Sequence, residues 1–396
     1  MLRGEHDSGY CHPATTDHSK DSMTSTDSTD LLAGLVRIDS QNPDLVAGAA
    51  GERALAEFCV RWLEQHGIES WIDEVKPGRC NAIARVRGGD GPTLALCAHL
   101  DTVSIEGMSA PGLEPRVADG RMYGRGTYDM KGGVAAIMAA LVEIAARPPH
   151  GTVMAALVCD EEFASSGASD FVRRYTCDAC IVTEPSEGRL IVAHKGFVWV
   201  EIETTGVAAH GSRWQDGLSA IARMGRIIAA LDRFDGTVLR GRTHPLLGPA
   251  SMHCATVAGG DGWSTYAPRC TLHVERRTLP GESPEAVLSE VRAVIAEAGE
   301  EAEVRDVLNR APLECSPDTA IARAVHSAVR DDTGAAPEIA GVGYWMDAAI
   351  FADAGADTVD YGPTGTGAHG ALEWVDLESV GRCGRVLAAA AARYFD

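Results

Sequence analysis

The sequence has few basic residues, and it has no long apolar run. Its 35 lysines and arginines are outnumbered by 56 aspartates and glutamates, so the formal net charge is −21. Non-specific nucleic-acid binding needs a basic surface, and this charge argues against that class of function. Because no uninterrupted apolar stretch is as long as a membrane-spanning helix, we also expect no membrane-embedded segment.

Signal-peptide and disulfide patterns are missing as well. The start of the chain is rich in Ser, Thr, Asp and His and has no apolar signal-peptide core, so we predict a disordered tail over residues 1–27 and a cytoplasmic location. The 11 cysteines follow no disulfide-like spacing, which indicates reduced thiols. Cys177 and Cys180 have C-x-x-C spacing, but no second pair or histidine accompanies them. Buried side chains are therefore a better interpretation than a zinc site.

Helical and strand patterns alternate along the rest of the chain. From residue 28 to 196, amphipathic helices alternate with apolar strands such as "TLALCAHLDTV", which is typical of an α/β sheet covered by helices on both faces. Between residues 197 and 309, half-exposed strands such as "FVWVEIETT" and two helices indicate a compact α+β unit. The α/β pattern returns over residues 310–396. We therefore predict one α/β domain interrupted by an inserted smaller domain.

Polar residues with metal-binding chemistry stand where the α/β strands end. Each has a simple explanation when taken alone, such as a hydrogen-bonded core histidine, a helix N-cap or a turn residue. Ligands of open α/β sheets, however, collect beyond the carboxyl ends of the strands. Imidazoles and carboxylates without thiolates suit a pair of borderline divalent ions, with one carboxylate bridging them. The candidates are His99, Asp129, one of Glu161 and Glu162, Glu184 and His369.

The stretch "LVCDEEF" places three acids after an apolar strand, namely Asp160, Glu161 and Glu162. Neighbouring carboxylates repel each other and are rarely buried without a cation or an ion-pair partner. A metal ion would hold one of the two glutamates, and the other would be free to act as a base towards a water. We interpret Asp160 as a capping or hydrogen-bonding residue outside this chemistry.

Seven motifs occur along the chain in the order seen in one protein family. They are "AHLDTV", "GRGTYDMKGG", "CDEEFASSGA", "TEPS", "GVAAHGS", "ERRTLPGE" and "GAHGALEWV". From about Thr29 to its end, the chain resembles the di-zinc aminoacylase and carboxypeptidase family, which includes acetylornithine deacetylase, succinyl-diaminopimelate desuccinylase and glutamate carboxypeptidase. The resemblance implies a zinc-exopeptidase-like catalytic domain with a mostly parallel sheet flanked by helices, formed by residues 28–196 and 310–396. It also implies that residues 197–309 are a dimerisation or lid domain and that the protein is a homodimer.

The resemblance implies a role for each matching residue of the metal site. Two divalent ions would be bound, zinc being the family's usual metal, while cobalt or manganese suits the same donors. A cis peptide bond would follow the bridging aspartate. The ligands would be His99 and Glu184 for one ion, Glu162 and His369 for the other, and Asp129 for both.

Four further residues gain roles from the resemblance. Glu161 would be the general base, and Asp101 would hydrogen-bond a metal-binding histidine and orient it. His210 would reach the active site of the partner subunit and stabilise the oxyanion. Arg277 would bind the substrate carboxylate through its guanidinium. Its neighbour Arg276 would point to the opposite face of the strand.

The implied function is release of an amino acid or amine from a small N-acyl amino acid by metal-activated water. A dipeptidase or carboxypeptidase would use the same residues with a different pocket, and the residues leave the acyl group and the amino acid open. A repurposed non-hydrolytic site, or a purely structural protein, agrees less well with a complete set of ligands and a base.

The pocket is the part of the site that the motifs define least. Ser264 and Thr265 stand where the family often has an asparagine that contacts substrate. Trp345 is either a bulky pocket wall or a core residue. Asp347 is expected to cap the helix that follows it.

Overall fold

The computed structural model describes residues 25–396 of the chain. The predicted tail, residues 1–27, therefore lies outside the described residues apart from its end, which belongs to the first helix. The helices are α1 Ser25–Val36, α2 Arg53–Gln65, α3 Gly132–Ala146, α4 Ser166–Arg174, α5 Ala220–Thr237, α6 Pro284–Glu297, α7 Ala320–Thr333, α8 Ala348–Asp353 and α9 Leu377–Phe395, and short helical turns span Thr127–Lys131 and Leu239–Gly241. The strands are β1 Glu69–Lys76, β2 Arg79–Arg87, β3 Thr93–His99, β4 Arg116–Ala118, β5 Arg121–Tyr123, β6 Thr152–Val158, β7 Ala179–Val182, β8 Leu190–His194, β9 Gly196–Thr205, β10 Thr243–His244, β11 Gly248–Pro249, β12 Ser251–Gly259, β13 Arg269–Thr278, β14 Glu303–Arg310, β15 Leu313–Glu314, β16 Ile339–Val342, β17 Asp357–Asp360, β18 Gly365–Thr366 and β19 Trp374–Asp376.

A nine-stranded sheet forms the larger unit of the fold. Its strand order is β1-β2-β6-β3-β7-β17-β8-β15, with β16 paired to β8. The central strands β6, β3, β7 and β17 run parallel to one another, while β1, β2 and β15 are antiparallel to their neighbours. This arrangement confirms the predicted α/β class with a parallel sheet at its centre.

Helices cover both faces of this sheet, which explains why its central strands are apolar throughout. Along β3, Leu94 and Leu96 belong to a core shared with α1, α3 and α9, whereas Ala95 and Cys97 belong to a second core shared with α4 and α8. Successive side chains of a strand point to opposite faces. A strand between two helical layers therefore needs apolar residues at every position.

A second, antiparallel sheet lies between residues 196 and 310, in the order β12-β13-β9-β14. Its buried side chains share a core with α5 and α6. In β9, Val198, Val200 and Ile202 are buried in that core, whereas Trp199 is exposed on the other face. This two-layer arrangement agrees with the α+β unit expected from the alternating pattern of the strands.

A small third sheet joins parts of the chain that are far apart in sequence. Its order is β18-β19-β5-β4, and β19 pairs with β5 so that Trp374 lies opposite Tyr123. This pairing places the loop between β18 and β19, which contains His369, beside the turn that follows β5, which contains Asp129. Two candidate ligands that are distant in sequence are thereby brought together.

The described cysteines are free thiols, and most of them are buried. Cys180 lies in the core of the large sheet, Cys177 is half-buried, and neither is in a disulfide. Among the helices of residues 25–396, none has both the length and the apolar character needed to cross a membrane.

Candidate metal centre

Neighbouring parallel strands bring most of the candidate residues to one edge of the large sheet. β3 ends at His99, which is in register with Val158 at the end of β6. Glu161 and Glu162 follow shortly after β6, and Glu184 follows β7. Because β3, β6 and β7 are parallel neighbours, their carboxyl ends lie together, and so do the side chains that follow them.

Asp129 lies between the two histidines. Its Oδ1 is 3.1 Å from Nε2 of His99, and its Oδ2 is 3.3 Å from Nε2 of His369. The same nitrogen of His99 is 3.6 Å from Glu184 Oε1, and that of His369 is 2.9 Å from Glu162 Oε2. The peptide bond after Asp129 is cis. The cluster thus has two halves, each with one histidine and one glutamate, joined by a single carboxylate.

Glu161 lies in the same cluster as the five candidate ligands. Its carboxylate is within 4.8 Å of ligand atoms of His99 and Glu184. Ligand atoms of Glu162, His99 and Asp129 likewise lie within 4.8 Å of one another. What distinguishes the two glutamates is the contact of Glu162 with His369, because Glu161 makes no such ion pair in residues 25–396.

The carboxyl groups of this cluster are strongly perturbed. Burial and then the charges of neighbouring carboxylates raise the pKa values of Glu161 and Glu184 well above the ordinary range. Burial and the charge of Asp129 also raise the pKa of Glu162. Burial would raise the pKa of Asp129 too, but hydrogen bonds from the two histidines hold it below its usual value. Hydrogen bonds to Asp129 and Glu162 raise the pKa of His369 to about 10.

These groups fit divalent cations. Oε1 of Glu162 is buried and has no hydrogen-bond partner among the described residues. The pKa values of Glu161, Glu162 and Glu184 are raised by burial and by neighbouring carboxylates, so nearby cations would stabilise the ionised acids. Divalent ions would neutralise the carboxylates and accept lone pairs from imidazole and carboxylate donors, which is a ligand set without thiolates.

Asp101 organises the backbone around this cluster. Its Oδ1 accepts the backbone N–H of Glu161 and its Oδ2 accepts that of Glu162, both at 3.1 Å. Nδ1 of His99 is 2.9 Å from the backbone oxygen of Asp101 and 3.7 Å from the carboxylate. The expected contact with His99 is therefore made through the carbonyl group, while the carboxylate orients the two glutamates.

Asp160 is the acid of the "CDEEF" stretch that belongs to a buried ion-pair network. Its carboxylate accepts hydrogen bonds from Arg79 at 3.0 Å, Asn42 at 3.1 Å, Lys76 at 3.2 Å and Ser166 at 2.5 Å. Burial alone would raise the pKa of Asp160, but these hydrogen bonds and charges lower it. Asp160 thus has the hydrogen-bonding role expected for it, outside the cluster of candidate ligands.

Sequence reasoning missed three residues around the site. Asn42 also donates to Asp101 at 2.8 Å, so it links that carboxylate to Asp160. Arg79 forms a bidentate ion pair with the buried Glu52 in addition to its bond to Asp160. The carboxylate of Glu373 accepts several N–H groups of the turn that holds Asp129. These three residues bond to partners that are far away in the sequence, so no local sequence pattern predicts their roles.

His210 and Arg277 lie in the unit formed by residues 196–310 and not in the cluster. His210 is exposed, its Nδ1 is 2.8 Å from the Ser212 hydroxyl, and within the described residues it makes no hydrogen bond to the cluster. Its backbone forms an isolated antiparallel β-bridge with Thr265, which is one of the two residues in the expected substrate loop. Arg277 is partly exposed beside Glu275, to which it donates at 2.7 Å.

Arg276 lies on the opposite face of β13, as strand alternation predicts. It is fully buried and forms an ion pair with Glu282 at 2.6 Å. Arg277 is therefore the member of the pair whose guanidinium is accessible to a ligand. Ser264 lies beside the His210 segment, where its carbonyl accepts the backbone N–H of Gly211 at 2.7 Å.

The prediction that Asp347 caps a helix is wrong. Asp347 precedes α8, but its side chain accepts no hydrogen bond from the helix, and its φ of −56° and ψ of −14° are already helical. A capping residue needs an extended backbone to aim its side chain at the first N–H groups. Neither carboxylate oxygen has a partner of good geometry in the described residues. Burial raises the pKa of this carboxyl to about 7, which the Ser165 hydroxyl offsets only in part.

Trp345 packs where the two units of the chain are connected. Its indole N–H donates to the carbonyl of Ala311 at 3.0 Å, and its ring lies 6.2 Å from His194 and 6.1 Å from Phe197. The Arg310 guanidinium lies 5.5 Å from the centre of the ring. Trp345 is nevertheless only half-buried, and together with Arg310 and Ala311 it lines a cavity, so it packs against its neighbours and forms a pocket wall at the same time.

Comparison with known proteins agrees with this fold and site. The pattern described as Peptidase family M20/M25/M40 matches residues 95–393. An acetylornithine deacetylase from Myxococcus xanthus is 31% identical over 357 residues, which cover 86% of this chain and 92% of that protein. An acetylornithine deacetylase from Aliivibrio fischeri (strain MJ11) is 30% identical over 285 residues, which cover 68% of this chain and 74% of that protein.

Solved structures show the same architecture. The aminopeptidase PepT from Bacillus cereus superimposes with a TM-score of 0.78 at 21% identity, over 95% of this chain and 100% of that one. A Bacillus subtilis protein described as a dinuclear metal binding peptidase from the M20 family superimposes with a TM-score of 0.67 at 18% identity. The match covers 93% of this chain and 97% of that one. Fold, site and relatives together define a hydrolase of amide bonds. The chain belongs to Peptidase family M20/M25/M40, which confirms the resemblance in the motifs.

Proposed function

We propose that this hydrolase releases an amino acid or amine from an N-acyl amino acid, in the manner of a deacylase. The observation that carries the proposal is the cluster in which Asp129 contacts both His99 and His369 while Glu161 lies beside it. The relatives named acetylornithine deacetylase support the deacylase over a peptidase, because the first of them is matched over 92% of its length.

The five clustered ligands would hold two divalent ions. His99 and Glu184 would bind one ion, Glu162 and His369 the other, and Asp129 both. Zinc suits these nitrogen and oxygen donors, as do cobalt and manganese. When bound, the ions would supply Lewis-acid polarisation of the amide carbonyl and a lower pKa for the attacking water.

Glu161 would act as the general base. It takes a proton from the water that attacks the carbonyl carbon and later delivers that proton to the leaving nitrogen. Asp101 serves this step indirectly, because its carboxylate fixes the backbone N–H groups of Glu161 and Glu162.

The inserted unit would complete the site. The accessible guanidinium of Arg277 suits a free substrate carboxylate, which it can bind with two parallel hydrogen bonds. His210 is exposed, and the same unit exposes the apolar side chains of Val207 and Leu218, which are paired with each other, and of Ile221. We therefore propose that this surface pairs with a second copy of the chain and that His210 acts in the partner's site, stabilising the oxyanion.

Mixing two inactive variants should restore activity if His210 acts across a dimer. In a hybrid of His210→Ala and Glu161→Ala subunits, one site combines an intact Glu161 with an intact His210 from the other chain. Random exchange should return roughly a quarter of the wild-type rate, because half of the dimers are hybrids with one working site each. The measurement is initial rate after subunit exchange, with each variant mixed with itself as control. No recovery despite demonstrated exchange would mean that His210 acts within its own chain or not at all.

Amine release from a panel of substrates tests the function itself. Zinc-loaded protein should hydrolyse N-acyl amino acids with a free carboxylate, and Glu161→Ala protein should not. Turnover of dipeptides alone would move the assignment to a peptidase. If metal-loaded protein releases amine from no substrate of the panel, the deacylase proposal is overturned, and the same site would catalyse a specialised reaction.

A further inference from the structure

Glu373 is a buried acid with a dense set of hydrogen bonds, and nothing in the proposed chemistry uses it. It is 1% exposed, in the same loop region as His369. Its Oε1 accepts the backbone N–H groups of Tyr128 at 2.9 Å and Asp129 at 3.1 Å. Its Oε2 accepts the backbone N–H of Gly126 at 3.0 Å. One carboxylate therefore holds most of the turn that presents the bridging aspartate.

Arg125 extends this arrangement to the other side of the site. It is 3% exposed, and its Nη1 donates to Glu373 Oε2 at 2.8 Å. Its Nη2 donates to the carbonyl of Gly370 at 3.1 Å, and Gly370 directly follows His369. The guanidinium fork thus contacts the His369 loop with one nitrogen and Glu373 with another. In this way the two residues connect the backbone beside His369 to the backbone of Asp129.

The separation of Asp129 and His369 decides whether the two side chains can share one ion. Asp129 Oδ2 and His369 Nε2 are 3.3 Å apart, and Glu162 Oε2 is 2.9 Å from the same nitrogen. His369 is more than half exposed, so burial fixes it less firmly than His99, whose side chain is 1% exposed. The half of the site that contains His369 therefore depends more on backbone contacts for its geometry.

We propose that Arg125 and Glu373 form a positioning pair that sets the distance between Asp129 and His369, and thereby the affinity for the metal ion that those two residues share with Glu162. This inference rests on the two-ion site of the proposed function. Neither residue contacts the reacting atoms, and both act through the ligand loops. Replacing a residue that hydrogen-bonds to a metal ligand typically lowers the metal affinity by about 10- to 100-fold.

Glu373→Gln is the sharpest test, because glutamine keeps the size of the side chain and removes one acceptor. Both oxygens of Glu373 face two N–H donors each, so either orientation of the amide directs its own NH2 group at two donors. We expect the loop to shift. The affinity for the ion bound at His369 should fall about 10- to 100-fold, which is a larger loss than at the ion bound by His99 and Glu184, because that ion shares only Asp129 with the displaced loops.

The experiment is a titration of metal-free protein with Zn²⁺ by calorimetry, repeated with Co²⁺ to follow the absorption bands of each occupied site. Glu300→Gln is the matched control. Glu300 forms a similar pair with Arg223 at 2.7 Å in the inserted unit, so its loss should leave both ion affinities unchanged. Activity of Glu373→Gln should be low at stoichiometric Zn²⁺ and should recover in excess Zn²⁺.

Three outcomes separate this inference from the proposed function. If wild-type protein does not bind two ions, both the proposed two-ion site and the inference that rests on it are refuted. If wild-type protein binds two ions and Glu373→Gln binds both with unchanged affinity, or loses both equally, the positioning pair is refuted while the function stands. Should Glu373→Gln not fold, Arg125→Lys decides by the same titration. Lysine keeps the charge but cannot reach Gly370 and Glu373 together, so unchanged binding would likewise overturn the proposal.

Discussion

Glu161→Gln is expected to lower kcat by roughly 10³-fold, the range of a positioned acid–base group, while the protein keeps its bound metal. Glutamine has nearly the same shape as glutamate but cannot take a proton from water or return one to the leaving nitrogen. Glu161 also makes no contact with His369 of the kind that Glu162 makes at 2.9 Å. Its replacement should therefore leave the ligand set complete. The measurements are steady-state kinetics and metal content after gel filtration.

Glu162→Gln is the matched control for this prediction. It is the adjacent residue, it bears the same change, and its backbone is held by the same carboxylate of Asp101. We expect Glu162→Gln to lose metal as well as activity, with partial recovery in excess metal. The opposite pattern, metal loss in Glu161→Gln and retention in Glu162→Gln, would mean that the roles of the two glutamates are reversed.

The motifs and patterns predicted the fold and the ligand cluster for physical reasons that are local in the sequence. A strand buried on both faces must be apolar at every position, so the central strands are visible in the sequence as continuous runs. A polar residue directly after such a run has to lie at the carboxyl edge of the sheet, as His99 and Glu184 do. Pattern and position together predicted where these residues lie.

The residues that support the ligands could not be found in this way. Asn42, Arg79 and Glu373 each bond to partners tens to hundreds of residues away, and their own surroundings look like ordinary loop or strand sequence. Asp347 shows the opposite error. An acid before a helix matches the sequence pattern of a cap, but the backbone there is already helical and the side chain accepts no hydrogen bond from the helix. Capping depends on a dihedral angle that the sequence does not fix.

The buried ion pairs behind the glutamates raise the question of what they contribute to stability. The side chains of Glu52 and Asp160 are fully buried, and that of Arg79 is 5% exposed. Burial raises the pKa of Glu52 despite its bonds to Arg79. Glu52 depends most on the guanidinium, because Arg79 is its ion-pair partner in residues 25–396, whereas Asp160 also pairs with Lys76.

Arg79→Met should consequently destabilise the fold by about 3–5 kcal/mol, the usual effect of removing one member of a buried ion pair. The control is Arg85→Met on the same strand, β2, since Arg85 pairs with the exposed Glu69 and its loss should change stability by about 1 kcal/mol or less. Urea and thermal unfolding measure both. The double variant Arg79→Met/Glu52→Gln should recover part of the loss, because it removes the buried acid that Arg79 compensates.

The pH dependence of the Arg79→Met variant provides an independent check. Without the guanidinium, the folded-state pKa of Glu52 rises further above its unfolded value, so the folded state binds a proton more tightly than the unfolded state does. Such a group destabilises the protein as pH rises towards its folded pKa, and the effect disappears as pH falls below its unfolded pKa. The stability deficit relative to wild type should therefore be larger at pH 8 than at pH 5. An equal deficit at both values would indicate that Arg79 contributes through packing and not through its charge.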